Sequence, residues 1–184
     1  FLKTRKDTRN FFRNYEEQMK KTRSLLPQDP DAAQHLLSDS QQFYNLSTYL
    51  QRTGFPVYEH TNVTYFPLGE DQFAEMKNRL RQAKCFIFIE YFIIAPGKMW
   101  NEFLEILIDR ARAGVEIRLM YDGMGTKFFS TDDFIEIAKR HHIQCKVFNP
   151  FRPFLSSAQN NRDHRKILVI DGNIAFNGGT NLAD

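Results

Sequence analysis

Apolar positions follow two rhythms along this chain. Over residues 1–50 they recur at helical spacing. Phe11, Phe12, Tyr15 and Met19 share one face of a first predicted helix. Leu25–Asp31 is a proline-containing break. Leu36, Leu37, Phe43, Tyr44, Leu46 and Leu50 predict a second helix over Ala32–Leu50, closed by Gly54-Phe55-Pro56. Val57–Pro67 has extended character, with Val63, Tyr65 and Phe66, and predicts a short strand or hairpin.

From Leu68 onward, strand and helix patterns alternate. Leu68-Gly69-Glu70-Asp71 opens a helix to about Ala83, with Phe73, Met76 and Leu80 inward. Phe86–Phe92 is a predicted strand. Met99–Ala113 is a predicted helix that buries Phe103, Leu104, Leu107 and Ile108 and stops at Gly114. Val115–Tyr121 is a strand running into Asp122-Gly123-Met124-Gly125. Thr131–His141 is a helix whose Asp132 and Asp133 suit the positive end of its dipole. Cys145–Phe148 is a further strand. Ile167-Leu168-Val169-Ile170 is an unbroken apolar run, the mark of a strand buried on both faces. Asp171-Gly172 then predicts a tight hairpin turn, with Asn173–Phe176 returning. The alternation implies an α/β fold: a mixed, mostly parallel sheet, helices on both faces, and a helical extension in front. The division falls at residues 1–54 and 55–184.

Composition narrows the class. At 184 residues the chain holds one domain plus an extension, and its 42% hydrophobic and 26% charged residues are ordinary for a globular protein. Phe is abundant at 18, which points to a large aromatic core or some lipid-facing surface. A net charge of +3 suits an anionic partner without choosing between lipid and nucleic acid. Cys85 and Cys145 adjoin apolar runs and have no metal-ligand spacing, so both are expected as buried free thiols in a reducing compartment. No apolar run is long enough to span a bilayer, and no signal peptide is visible. The first helix carries Lys3, Arg5, Lys6, Arg9, Arg13, Lys20, Lys21 and Arg23 against Asp7, Glu16 and Glu17. It suits either an anionic membrane surface or a solvated helix docked on the domain. The chain opens without Met, as expected of a piece of a longer protein.

The chemistry concentrates in residues 161–181. His164, Lys166, Asp171, Gly178, Gly179 and Asn181 form the pattern H-x-K-x4-D-x6-G-G-x-N. With six fixed positions at about one in twenty each, a chance match in a chain of this size is on the order of a few in a million. The residue types suit attack on a phosphodiester. A neutral imidazole is a usable nucleophile, and a covalent phosphohistidine splits one hard displacement into two easier ones. Lys166 supplies a cation and Asn181 an amide donor for the phosphoryl oxygens, and Gly178 and Gly179 let backbone approach them. Lying two apart in an extended segment, His164 and Lys166 face the same side. Asp171 follows the apolar run on the opposite face, a structural position. The plain alternative is a hairpin that begins with an exposed His and Lys.

Ligands of such sheets gather at the carboxyl ends of strands, where Glu90 and Asp122 fall. Either could bind a substrate hydroxyl or hold a catalytic group; each could equally be a cap or a loop ion pair. His35, His60, His141 and His142 have no such setting and are read as surface or helix-end residues.

The pattern resembles the HKD signature of the phospholipase D superfamily. Residues 161–172, Ile89-Glu90-Tyr91-Phe92-Ile93, Tyr121-Asp122-Gly123-Met124-Gly125 and Phe148-Asn149-Pro150-Phe151-Arg152-Pro153 are similar to bacterial cardiolipin synthases around their first HKD motif. The resemblance implies a phospholipase D-like fold and a transfer of phosphatidyl from one phosphatidylglycerol to another, releasing glycerol. It implies no cofactor and no metal. Its partners would be an anionic phospholipid and a membrane surface rather than nucleic acid, at the cytoplasmic face of the cell membrane. It groups His164, Lys166 and Asp171 as the catalytic signature. It also implies a second HKD half, from the parent chain or a homodimer partner, and a downstream acid that orients the nucleophile. One half alone is expected to be inactive as a monomer and prone to self-association through exposed apolar surface. Arg152, in the aromatic loop Phe151–Leu155, is a candidate lipid contact. The competing reactions are phospholipid hydrolysis and a single-motif homodimeric nuclease; a non-catalytic membrane module fits the intact His, Lys and Asn poorly.

Overall fold

The computed structural model describes residues 2–25, 31–126, 133–150 and 161–184. The chain divides into two compact units, residues 1–64 and 65–184. Arg152 and the rest of the Phe151–Leu155 loop lie outside the described residues.

The first unit is helical. Helix α1 (Leu2–Leu25) is the basic amphipathic segment. The single helix expected over Ala32–Leu50 is two, α2 (Ala32–Asp39) and α3 (Gln41–Thr53). Ser40 breaks it: its backbone is extended, and its hydroxyl accepts the Phe43 N–H as an N-cap. Gly54, at φ 94°, ends α3 in the left-handed conformation that glycine adopts without strain. The stretch 55–64 forms no strand, because no sheet edge is paired with it; His35 Nδ1, 2.6 Å from Glu59 Oε1, ties it to α2. No described helix is long and apolar enough to cross a membrane.

Among the described residues, the second unit is a five-stranded sheet with three helices. Its elements are α4 (Gly69–Gln82), β1 (Phe86–Tyr91), α5 (Lys98–Arg112), β2 (Glu116–Asp122), α6 (Asp133–Arg140), β3 (Gln144–Phe148), β4 (Lys166–Ile170) and β5 (Ile174–Asn177). The strand order is β3-β2-β1-β4-β5. β1–β2 and β2–β3 are parallel, whereas β1–β4 and β4–β5 are antiparallel, so the sheet is evenly mixed rather than mostly parallel. The antiparallel insertion positions the site. It sets the amino end of β4 beside the carboxyl end of β1, pairing Lys166 with Tyr91.

Alternation decides what is buried. Ile87, Ile89, Tyr91, Ile117, Leu119, Tyr121, Leu168, Ile170 and Phe176 form one sheet face. Against it pack Met76 and Leu80 of α4, Trp100, Phe103 and Leu107 of α5, and Ala138 of α6. Each large apolar side chain so buried contributes about 1.5–3 kcal/mol. Among the described residues, α4, α5 and α6 thus pack against this face. The other face carries the half-buried Phe86 and Phe88, stacked at 4.5 Å, with the Arg118 guanidinium 5.0 Å above Phe88. Cys85 is exposed, because the chain has not yet entered the sheet there; Cys145 is half-buried, and both thiols are free.

The hairpin turn forms as its residues require. Asp171 and Gly172 have φ of 52° and 74°, the doubly positive pattern of a type I′ turn.

Candidate active site

The site is built where three loops meet at the ends of β1, β2 and β4. Asp122 joins them. It is fully buried, and its Oδ1 accepts from Met124 N (2.8 Å), Gly125 N (3.0 Å) and Arg162 Nη1 (3.2 Å). Its Oδ2 accepts from Asp163 N at 3.0 Å. Arg162 also donates to Asn149 O (3.0 Å), and Asn149 Nδ2 to Asn161 O (2.9 Å). Of the two readings of Asp122, these contacts are those of a loop ion pair: its oxygens bind the turn and the approach to His164. Gly125 is required here, because a Cβ would stand 2.4 Å from Phe92 O.

His164 is exposed, and its ring lies 4.7 Å from that of Phe92. Lys166 is only 4% exposed. Its Nζ donates to His164 O (3.0 Å) and sits 5.3 Å over the Phe92 ring. Burial lowers the Lys166 ammonium from its ordinary pKa, against the opposing pull of Asp163.

Asn181 completes this side. Its Oδ1 accepts from Ile93 N (3.2 Å), so its amide nitrogen is the end outside that bond. Leu182 N donates to Ile93 O (3.2 Å) and Ala95 N to Leu182 O (3.0 Å), which splices the segment alongside the end of β1. The Asp184 carboxylate accepts from Lys98 N (2.5 Å) and Met99 N (2.9 Å), capping α5. A shallow cleft opens between α4 and Thr180–Leu182, with Phe73, Met76 and Tyr91 in its wall. Gly178 and Gly179 have ordinary φ; a Cβ at Gly179 would meet nothing within 4 Å, and one at Gly178 would touch only Gln72 at 3.5 Å.

Asp171 stands apart. Its carboxylate accepts from Lys84 N (2.8 Å), Cys85 N (2.8 Å) and Phe86 N (2.9 Å). These bonds, chiefly that from Phe86, hold its pKa below the usual carboxylate range. At about 3.3 Å per residue, the length of β4 separates it from Lys166 by roughly 16 Å. These contacts agree with the structural position read from the sequence: Asp171 pins the start of β1 to the hairpin.

Glu90 is half-buried on the sheet face opposite Lys166, beside two residues that sequence reasoning passed over, Asp163 and Arg165. Arg165 Nε lies 2.8 Å from Glu90 Oε1 and 2.9 Å from Asp163 Oδ1. Burial, then the neighbouring Asp163 carboxyl, pushes Glu90 up to about 7. Burial also raises Asp163, but its bonds to Glu90 and Arg165 outweigh this and hold it low. The signal was available: Asp163 and Arg165 alternate with His164 and Lys166, so an extended chain turns them to the Glu90 side. Phe92, under both His164 and Lys166, was visible only as part of a similar stretch. Among the described residues, no three His, Cys, Asp or Glu side chains are grouped to hold a metal.

The sheet and its His-x-Lys strand define a phospholipase D-like domain. More particularly, the chain belongs to the family described as cardiolipin synthase, PLD-like domain, whose model matches residues 76–184. It is 55% identical over 142 residues to an uncharacterised protein of Streptococcus mutans, covering 77% of this chain and 31% of that protein. It is 36% identical over 130 residues to a cardiolipin synthase of Halalkalibacterium halodurans, covering 70% of this chain and 26% of that enzyme. The chain thus spans less than a third of the length of either relative. Among solved structures, Nuc from Salmonella typhimurium, a phospholipase D family member, has a TM-score of 0.44 at 17% identity, covering 60% of this chain and 64% of that one. NucT from Helicobacter pylori has a TM-score of 0.47 at 16% identity, covering 62% and 69%.

Proposed function

We propose that the protein carrying this chain is a phosphatidyltransferase that makes cardiolipin from two phosphatidylglycerol molecules, and that this chain supplies one half of its site. The observation that carries the reading is His164 exposed beside a buried lysine whose ammonium is held by the His164 carbonyl. One imidazole nitrogen bonds to phosphorus as the bond to the departing glycerol oxygen breaks. That oxygen takes a proton from a second histidine, outside this chain. The hydroxyl of the second phosphatidylglycerol then attacks the phosphohistidine, gives its proton back to the second histidine, and frees the first. His164 fills either role, nucleophile or acid. Lys166 and the Asn181 amide stabilise the phosphoryl oxygens. Gly178 and Gly179 are demanded by neither φ nor packing within the chain, which leaves close approach of the phosphate as their use. The membrane and its cytoplasmic face follow as the place of work, with the basic face of α1 and Arg152 as anionic-lipid contacts.

The test uses the purified full-length protein on phosphatidylglycerol vesicles, following cardiolipin, glycerol and phosphatidic acid. Cardiolipin with glycerol is the expected product pair, and His164→Ala abolishes both. Phosphatidic acid in place of cardiolipin would assign water as the acceptor. Undiminished turnover in His164→Ala would remove the site altogether.

A further inference from the structure

Behind His164 stand two carboxyl groups with fewer hydrogen-bond donors than buried acids need. The Arg165 Nε hydrogen goes to Asp163 Oδ1; Glu90 Oε1 lies at ion-pair distance from the same nitrogen but receives no hydrogen bond. Asp163 Oδ2 is likewise buried without a donor among the described residues. If both acids were ionised, one guanidinium would face two carboxylates, and both oxygens would stay unpaired. One proton shared between the two carboxyls removes the excess charge and supplies the missing donor.

The backbone around this pair is otherwise tied down. Asp163 N is held by Asp122 Oδ2 at 3.0 Å, and Lys166 pairs with Tyr91 across the β1–β4 ladder. Between those two anchors run only Asp163, His164 and Arg165. The side chains of the outer two converge on Glu90, and the middle one is the imidazole.

We propose that Glu90 is a positioning residue for His164: as the neutral acid it donates to Asp163 and, with Arg165, clamps both peptides that flank the imidazole, and on ionising it releases that clamp. The inference rests on His164 being the reacting residue proposed above. The groups facing Glu90 come from every neighbouring strand. Asp163 and Arg165 face it from the approach to β4. Arg118 on β2 is engaged with Glu116 at 2.7 Å, and Lys146 on β3 is exposed. Asp163 opposes ionisation and Arg165 favours it, with burial added to the first. The transition consequently falls near neutrality, at about 7.

The experiment compares full-length wild type, Glu90→Gln and Glu90→Ala between pH 5.5 and 9 on phosphatidylglycerol vesicles. In the wild type kcat is expected to fall several-fold as pH rises through about 7, with KM steady. The Gln amide donates at every pH, so E90Q shows no such fall, and E90A is slow throughout. An alkaline fall of the same size and position in E90Q overturns the proposal. A second readout needs no turnover: the rate at which diethylpyrocarbonate labels His164, read by mass spectrometry at pH 6 and 8.5. The wild-type to E90Q rate ratio is expected to change several-fold between the two. A constant ratio overturns the clamp even in a protein that proves inert toward phosphatidylglycerol, whereas a changing ratio in an inert protein overturns only the lipid reading.

Discussion

Two acids sit at the ends of adjacent strands and have opposite lives. Asp122 ends β2 fully buried and accepts four hydrogen bonds, three of them from backbone N–H groups. Among the described residues, Glu90, near the end of β1, has the Arg165 cation nearby and no donor at its buried oxygen. The first is a saturated carboxylate and works as scaffold. The second is left short of donors, and its ionisation stays within reach of ordinary pH. Asp171 belongs with Asp122, since three backbone amides fill its oxygens. Within this domain, the supply of donors, more than burial, separates acids that hold loops from acids that respond.

The largest break in that contrast comes from Asp122→Ala. It removes the carboxylate that faces the Arg162 guanidinium and accepts from three backbone amides, and should cost about 3–5 kcal/mol of stability in urea unfolding. A loss under about 1 kcal/mol would remove Asp122 from the scaffold. Asp171→Ala comes next, at about 1–3 kcal/mol, with a far smaller effect on kcat than His164→Ala. The Asp171 carboxyl is held below its ordinary range, so its contribution is present at neutral pH and lost as pH falls below about 4. Acid unfolding of the variant should be correspondingly shallower. Glu90→Gln sharpens the contrast with the opposite sign. A raised carboxyl contributes fully below about 4.5 and loses that contribution as pH rises toward 7. Replacing it should flatten the decline of stability over that window, by about 1 kcal/mol once solvent screening is allowed for. The smallest stability effect is expected for Gly178→Ala, within about 0.5 kcal/mol, while initial rates on phosphatidylglycerol fall. Unchanged rates would deny this glycine any role in admitting phosphate.

The sequence carried the local part of this architecture. A spacing of two put His164 and Lys166 together, and Asp171-Gly172 announced its turn because few residues accept positive φ twice in succession. The stripe of Phe73, Met76 and Leu80 identified α4. What stayed hidden depends on distant partners. Ile167–Ile170 reads the same whether β4 runs parallel or antiparallel to β1, so their antiparallel pairing was not legible. The burial of Asp122 depends on Arg162 and Asp163, some forty positions away. The apolar rhythm runs straight across Ser40 and masked the break. Asp163 and Arg165 were overshadowed by the more reactive residues with which they alternate.

The splice of Leu182 onto Ile93 and Ala95, together with the Asp184 cap on α5, has a dynamic consequence. The amides of Ala95, Lys98, Met99 and Leu182 share one closure, so they should open to solvent as a single cooperative unit rather than fray one by one. Asn181 sits inside that unit. Its amide is thus available at a fixed place for as long as the closure holds, and hydrogen exchange at those four amides would time how long that is.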